Sequence, residues 1–166
     1  MGHSMSGLTA LMAAASGVVN KVVSIDPSPS KEVQGEKSIE GIPDVYNASD
    51  VGMPMEDEAK MEALHDIEPG MIKKMQAMLG QESGAARRQR KQGVSVPKEQ
   101  LDSKEVLFIS AEDGGSLPFG ISNQSTKKMA GYYGKDVVTI MGATHPGILM
   151  GKHAPEAIKA VLNFIA

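Results

Sequence analysis

Ser4 stands among small residues in Gly2-His3-Ser4-Met5-Ser6-Gly7, and the alanine-rich run Leu8-Thr9-Ala10-Leu11-Met12-Ala13-Ala14-Ala15 follows at once. A serine on a sharp turn into a helix exposes its hydroxyl above the helix N-terminus. An alkoxide or oxyanion formed there meets free backbone N–H groups. The spacing reads as a nucleophile elbow, although a serine before such a helix also serves as an N-cap. Two other stretches put acid–base side chains just beyond β-branched runs: Ala111-Glu112-Asp113-Gly114-Gly115 and Gly142-Ala143-Thr144-His145-Pro146-Gly147. A serine nucleophile, a histidine base and a carboxylate that orients the imidazole are the parts of acyl-transfer chemistry. Asp113 is the first choice of carboxylate, with Glu112 and Asp26 as alternatives.

The elements that must position these groups are legible from periodicity. Leu8 to Ala15 favours a helix that stops at Ser16-Gly17, where glycine can take the left-handed conformation. Val18 to Ile25 is nearly continuous in β-branched residues, as in a buried parallel strand, and Asp26-Pro27-Ser28-Pro29-Ser30 ends it. Glu105 to Ser110 and Asp136 to Met141 read as two more strands, with helices over Ser122–Tyr133 and about Pro155–Ile165. Strands alternating with helices imply an α/β fold, about three parallel strands flanked by helices. In an open sheet of this kind ligands bind at the carboxyl ends of the strands, where Ser4, Asp113 and His145 would converge.

Residues 31–95 interrupt this pattern with a polar, Gly- and Pro-punctuated cap-like excursion. Helices are expected within it over Glu56–His65 and Pro69–Leu79, the latter carrying Met71, Ile72, Met75, Met78 and Leu79 at helical spacing. Arg87-Arg88-Gln89-Arg90-Lys91 could grip phosphate but lacks interleaved aromatics, and it reads as a solvated helix end or loop.

With 166 residues the chain suits a single domain, 1–166, and its net charge of −3 offers no general attraction to nucleic acid or to an anionic membrane surface. Cysteine is absent, which excludes disulfides, thiolate metal sites and a cysteine nucleophile. No run is long and apolar enough to span a bilayer, so a cytoplasmic location is expected. His3, adjacent to Ser4, is placed to line a pocket. His65 and His153 lack metal-site spacing, and neither a metal nor a cofactor is expected. Twelve methionines and no tryptophan leave the interior to Val, Ile, Leu, Ala and Met.

The chain resembles the C-terminal part of α/β-hydrolase fold proteins, of the esterase and acyltransferase-like kind, starting at the nucleophile elbow. The resemblance rests on Gly2-His3-Ser4-Met5 with its helix, the strand ending Ser24-Ile25-Asp26-Pro27, Ala111-Glu112-Asp113, Gly142-Ala143-Thr144-His145 and the closing His153-Ala154-Pro155-Glu156-Ala157-Ile158 helix. It implies Ser4 as nucleophile, His145 as general base, Asp113 as orienter and the Met5 backbone N–H in the oxyanion hole. A small carboxylic ester is the implied substrate; a noncatalytic oligomeric remnant with a binding or stress-tolerance role is the alternative. The family pattern has glycine where Ser6 stands, and strands before the elbow that this chain does not contain. Met1-Gly2-His3 is expected to be too short for a useful ladder, leaving Val18–Ile25 as an exposed edge. A homodimer or higher homo-oligomer through that edge is the expected remedy.

Overall fold

A glycine-rich start, two strands of nine residues and the helices between them fold into one parallel sheet with helices on both faces. The computed structural model describes residues 1–35, 37–47, 62–117 and 120–166. Strand β1 (Gly2–His3) leads into helix α1 (Met5–Ala15), and β2 (Lys21–Ile25) into the short α2 (Lys31–Gln34). The excursion holds β3 (Val45–Asn47), α3 (Pro69–Met78), β4 (Gln81–Ser83) and α4 (Gly84–Gln92). After it come β5 (Glu105–Asp113), α5 (Asn123–Tyr133), β6 (Asp136–Thr144), α6 (Gly147–Met150) and α7 (Ala154–Ile165). The main sheet has the order β1-β2-β5-β6 and every neighbouring pair in it is parallel.

Two expectations about the sheet need correction. Met1-Gly2-His3 does form a ladder: Gly2 pairs with Ser24 and His3 with Ile25, so the sheet has four strands rather than three. Two residues suffice because the Ser4 N–H extends the pairing to the Ile25 carbonyl at 3.0 Å and α1 begins immediately behind them. The strand after α1 starts at Lys21, not Val18. Gly17, at φ 83°, turns the chain so that the Val18 N–H bonds back to the Ala13 carbonyl, leaving Val18 and Val19 in solvent.

The two sheet faces divide the core by the two-residue period of the strands. Val22, Val106 and Phe108 pack under α1 and α5 with Leu8, Leu11, Met129 and Tyr133. Val23, Ile25, Leu107, Ile109 and Ile140 face the other way, against Ile148 and Ala157. Tyr133 stacks on Phe108 with ring centroids 6.3 Å apart, and its hydroxyl bridges Ser30 Oγ and the Val96 carbonyl, each at 2.9 Å. Its apolar body thus fills the core while its polar tip stays satisfied.

The excursion is more regular than its sequence suggested. β3 and β4 pair antiparallel, Val45 with Ser83 and Asn47 with Gln81, joining segments some forty residues apart. Leu64, Ile67, Ile72 and Leu117 form a small core beneath α3. Residues 56–61 of the helix expected over Glu56–His65 lie outside the described residues, and His65 itself sits in a turn. No helix among the described residues is long and apolar enough to cross a membrane.

Phe108 is fully buried in the middle of the sheet, whereas Val138 is 37% exposed. Phe108→Ala should therefore lower unfolding free energy by about 3–5 kcal/mol, and Val138→Ala by less than about 1 kcal/mol, in urea titrations followed by circular dichroism.

Candidate active site

Ser4 occupies a backbone conformation that an L-residue adopts only under constraint, φ 55° and ψ −124°. Hydrogen bonds on both sides impose it. The Ser4 N–H is held by Ile25, while the Ser4 carbonyl accepts from Gly7 N at 3.0 Å and Ser28 N at 2.9 Å. The first turn of α1 folds tightly back on β1: a Cβ on Gly2 would stand 2.0 Å from the Ser6 carbonyl oxygen, so only glycine fits there. Met5 opens α1, and its N–H is one of the donors that a helix start leaves without an intrahelical acceptor. The elbow read from the sequence is thus present, with a strained serine above a helix N-terminus.

His145 follows the end of β6 and is almost wholly buried. Its Nδ1 faces Asp26 Oδ2 at 3.2 Å, and Asp26 is 0% exposed. The other oxygen, Asp26 Oδ1, accepts the Ala111 N–H at 2.9 Å and the Thr126 hydroxyl at 3.4 Å. Asp26 also has a positive φ of 38°, at the turn where β2 ends. With Nδ1 turned to a carboxylate, Nε2 is the nitrogen left to take a proton. Among the described residues Ser4 Oγ makes no hydrogen bond to His145. Such bonds are often long in ligand-free enzymes and shorten with substrate in place.

Of the three acids weighed from sequence, the one facing His145 is therefore Asp26. Asp113 is turned to His65, its Oδ2 3.5 Å from Nε2, with both side chains more than 40% exposed. β5 continues to Asp113 instead of ending at Ser110, with an irregular register between Ala111 and Asp113, and this carries the Asp113 carboxylate to the excursion. Glu112 is spent on the Gly142 N–H at 2.8 Å.

Sequence reading gave no role to Asp66, yet this buried carboxylate holds the loop that carries His145. It accepts the Thr144 N–H at 2.9 Å and the Thr144 hydroxyl at 2.7 Å, and the Thr144 hydroxyl in turn accepts Gly147 N–H at 3.1 Å. A side chain at position 147 would collide with Asp66, since a Cβ there would lie 1.9 Å from Oδ2. The available signal was an acid flanked by apolar residues, in Leu64-His65-Asp66-Ile67.

His3, half-buried, completes the cluster. Its Nε2 donates to the His145 carbonyl at 2.8 Å, and the two rings lie 4.4 Å apart, centroid to centroid. Burial, and next the neighbouring His145, push the His3 imidazole down to about 4, so it is neutral at neutral pH. Ligand atoms of His3, Asp26 and His145 all lie within 4.8 Å of one another, the one such group among the described residues. Within this group Asp26 Oδ2 faces His145 Nδ1 and His3 Nε2 is bonded to the His145 carbonyl.

Ser4 and Met5 open on a cavity of about 840 Å³ that Ser28, Leu117 and Ile121 also line. The basic helix α4 lines it too, through Arg87, Arg90 and Lys91. Those side chains are partly buried, not the solvated face that the sequence suggested.

No protein-family model matches the chain, and no curated protein matches it in sequence. Solved structures do. The crystal structure of polyneuridine aldehyde esterase superposes with a TM-score of 0.66 at 14% identity, covering 99% of this chain and 70% of that one. The structure of DcsB in complex with its substrate analogue gives a TM-score of 0.52 at 18% identity, over 99% of this chain and 62% of that one. The chain has the α/β-hydrolase fold.

The depressed His3 value sets a pH dependence. In the unfolded chain His3 binds its proton near 6.5, and in the folded chain only near 4. Protonation therefore favours unfolding as pH falls through that window, and His3 withdraws about 3 kcal/mol between pH 7 and 4. Urea titrations at pH 7, 5.5 and 4.5 should show a smaller loss for His3→Gln than for the unsubstituted protein; equal losses would mean that His3 is not buried as described.

Proposed function

We propose that this chain is a serine hydrolase acting on small carboxylic esters through an acyl-enzyme. The observation that carries the reading is the buried Asp26–His145 pair at the carboxyl edge of the sheet that also presents the strained Ser4. The esterase fold of its structural neighbours is consistent with it.

In the proposed reaction Ser4 Oγ attacks the ester carbonyl while His145 Nε2 takes the hydroxyl proton. Asp26 holds the imidazole by Nδ1 and stabilises the imidazolium. Charge collecting on the carbonyl oxygen meets the Met5 N–H at the positive end of α1. Collapse of the tetrahedral intermediate breaks the C–O bond to the alcohol, which leaves with the proton from His145, and the acyl group stays on Ser4. A water, deprotonated by the same imidazole, then attacks the acyl-Ser4 carbonyl; Ser4 recovers its proton and the carboxylic acid departs. Asp66 acts on none of these atoms but fixes the loop carrying His145.

A second copy belongs to the same proposal. β1 is the sheet edge, and beside it lies an apolar groove lined by Met1, Ile25, Ile148, Ile158 and Leu162. Ile158, Leu162 and Ile165 each remain more than half exposed on α7. A row of large apolar residues along an open sheet edge suits self-association better than water.

Hydrolysis of 4-nitrophenyl acetate and butyrate should be abolished by Ser4→Ala and by His145→Ala at unchanged fold. Asp26→Asn should cut kcat by about 10²-fold or more, while Asp113→Asn should leave it within about threefold. Turnover indifferent to Ser4 and His145 would leave the noncatalytic oligomeric remnant as the better reading. Light scattering should give a mass near twice the 17.5 kDa of the chain, reduced to one chain by Leu162→Glu; a monomeric unsubstituted protein would remove the second copy.

A further inference from the structure

One wall of the cavity that Ser4 opens on carries charge that no carboxylate among the described residues pairs with. Arg87, Arg90 and Lys91 line it from α4, and Lys37 lines it from the excursion. Positions 87, 90 and 91 are three and four apart, so they share one helix face and repel one another. Arg88, on the same helix, points elsewhere: it is held by Asp44 at 2.7 Å and by the Ile42 and Pro43 carbonyls. Among the described residues no carboxylate lies within ion-pairing distance of the four lining cations, and Glu82, exposed on β4, is the single acid on the cavity wall.

This concentration of cations stands in a chain whose net charge is −3. A partly buried guanidinium without a counter-charge is costly, and the arrangement becomes favourable once an anion is supplied. Burial, and next the charge of Arg87, hold the Arg90 guanidinium below its usual value. Arg87, without a carboxylate partner among the described residues, is also oriented, its guanidinium carbon lying 4.8 Å from the Tyr46 ring centroid. A guanidinium fixed this way offers its planar fork to an oxyanion in a defined direction.

We propose that the Ser4 cavity takes esters whose acyl part carries a second, ionised oxyanion, gripped by Arg87, Arg90 and Lys91 while the ester carbonyl lies at Ser4. The inference rests on the reading of Ser4 as nucleophile and names the substrate class of that site. A carboxylate and a phosphonate or phosphate offer the same oxygens to the fork, and the cavity, at about 840 Å³, has room for a short acyl chain between the two ends.

Three esters of similar length separate the cases: 4-nitrophenyl hexanoate, the 4-nitrophenyl monoester of adipic acid, and the 4-nitrophenyl ester of 5-phosphonopentanoic acid. One of the two anionic esters should exceed the hexanoate at least tenfold in kcat/KM, and which of them leads identifies the anion. The ratio should fall toward one in Arg87→Gln/Arg90→Gln and at 0.5 M salt, and persist in Arg87→Lys/Arg90→Lys. The salt series needs no substitution and so guards against a variant that fails to fold. A Ser4-dependent turnover with no preference for either anionic ester overturns the inference and leaves the hydrolase reading standing. If no ester is turned over, the hydrolase reading fails, and calorimetry on Ser4→Ala decides the anion site separately. Monomethyl adipate should then bind at least tenfold more tightly than methyl hexanoate, and equal binding overturns the inference.

Discussion

The buried carboxylate of Asp26 is the constraint on which the site depends. It lies at the end of β2, in a positive-φ turn, and reaches three other elements at once: β5 through the Ala111 N–H, α5 through the Thr126 hydroxyl, and the loop after β6 through His145. A fully buried carboxylate is tolerated only where its oxygens are occupied, and here the donors come from segments 85, 100 and 119 residues away. None of them can shift without leaving the charge exposed to an apolar surround. The geometry of the imidazole is therefore a property of the whole sheet, fixed by the same contacts that close the core.

A second carboxylate, Asp66, does for the loop what Asp26 does for the ring. It is buried and spends both oxygens on Thr144, the residue before His145, while its own backbone carbonyl accepts from Lys152. Because Asp66 belongs to the segment after the excursion's first half, docking of that segment and placement of His145 are one event. The excursion then borders the site in two ways, holding the loop of His145 through Asp66 and lining the cavity through α4.

The sheet was legible in the sequence because its signals are local. β-branched runs, a glycine stop after α1 and the serine between small residues each act within a few positions, and the strands and helices appear where those signals are. The ends of the strands were less legible: β5 and β6 each run three residues past their apolar stretch, since ladder pairing resumes between Asp113 and Thr144 after the irregularity beyond Ala111, whatever their hydrophobicity. That extension is why Asp113 reaches His65 while Asp26, at the end of a shorter strand, reaches His145. The pairing of β3 with β4 had no local signature, because polar residues 45–47 and 81–83 declare a strand only once they meet.

The basic run of α4 shows the same limit from the side of charge. Its composition states that cations are clustered, but the difference between a solvated face and a cavity wall is made by what packs opposite, here the loops after β1, β2 and β5. Since helix interiors gain nothing from like charges three and four apart, such a run is retained at a cost of a few tenths of a kcal/mol per pair unless something meets it. Arg88 is met by Asp44, within the excursion itself. Arg87, Arg90 and Lys91 have no such partner among the described residues and line the same cavity as Ser4 and Met5 at the start of α1. The N-terminus of α1 and the basic helix thus border one space, and both act in the same electrostatic direction on whatever enters it.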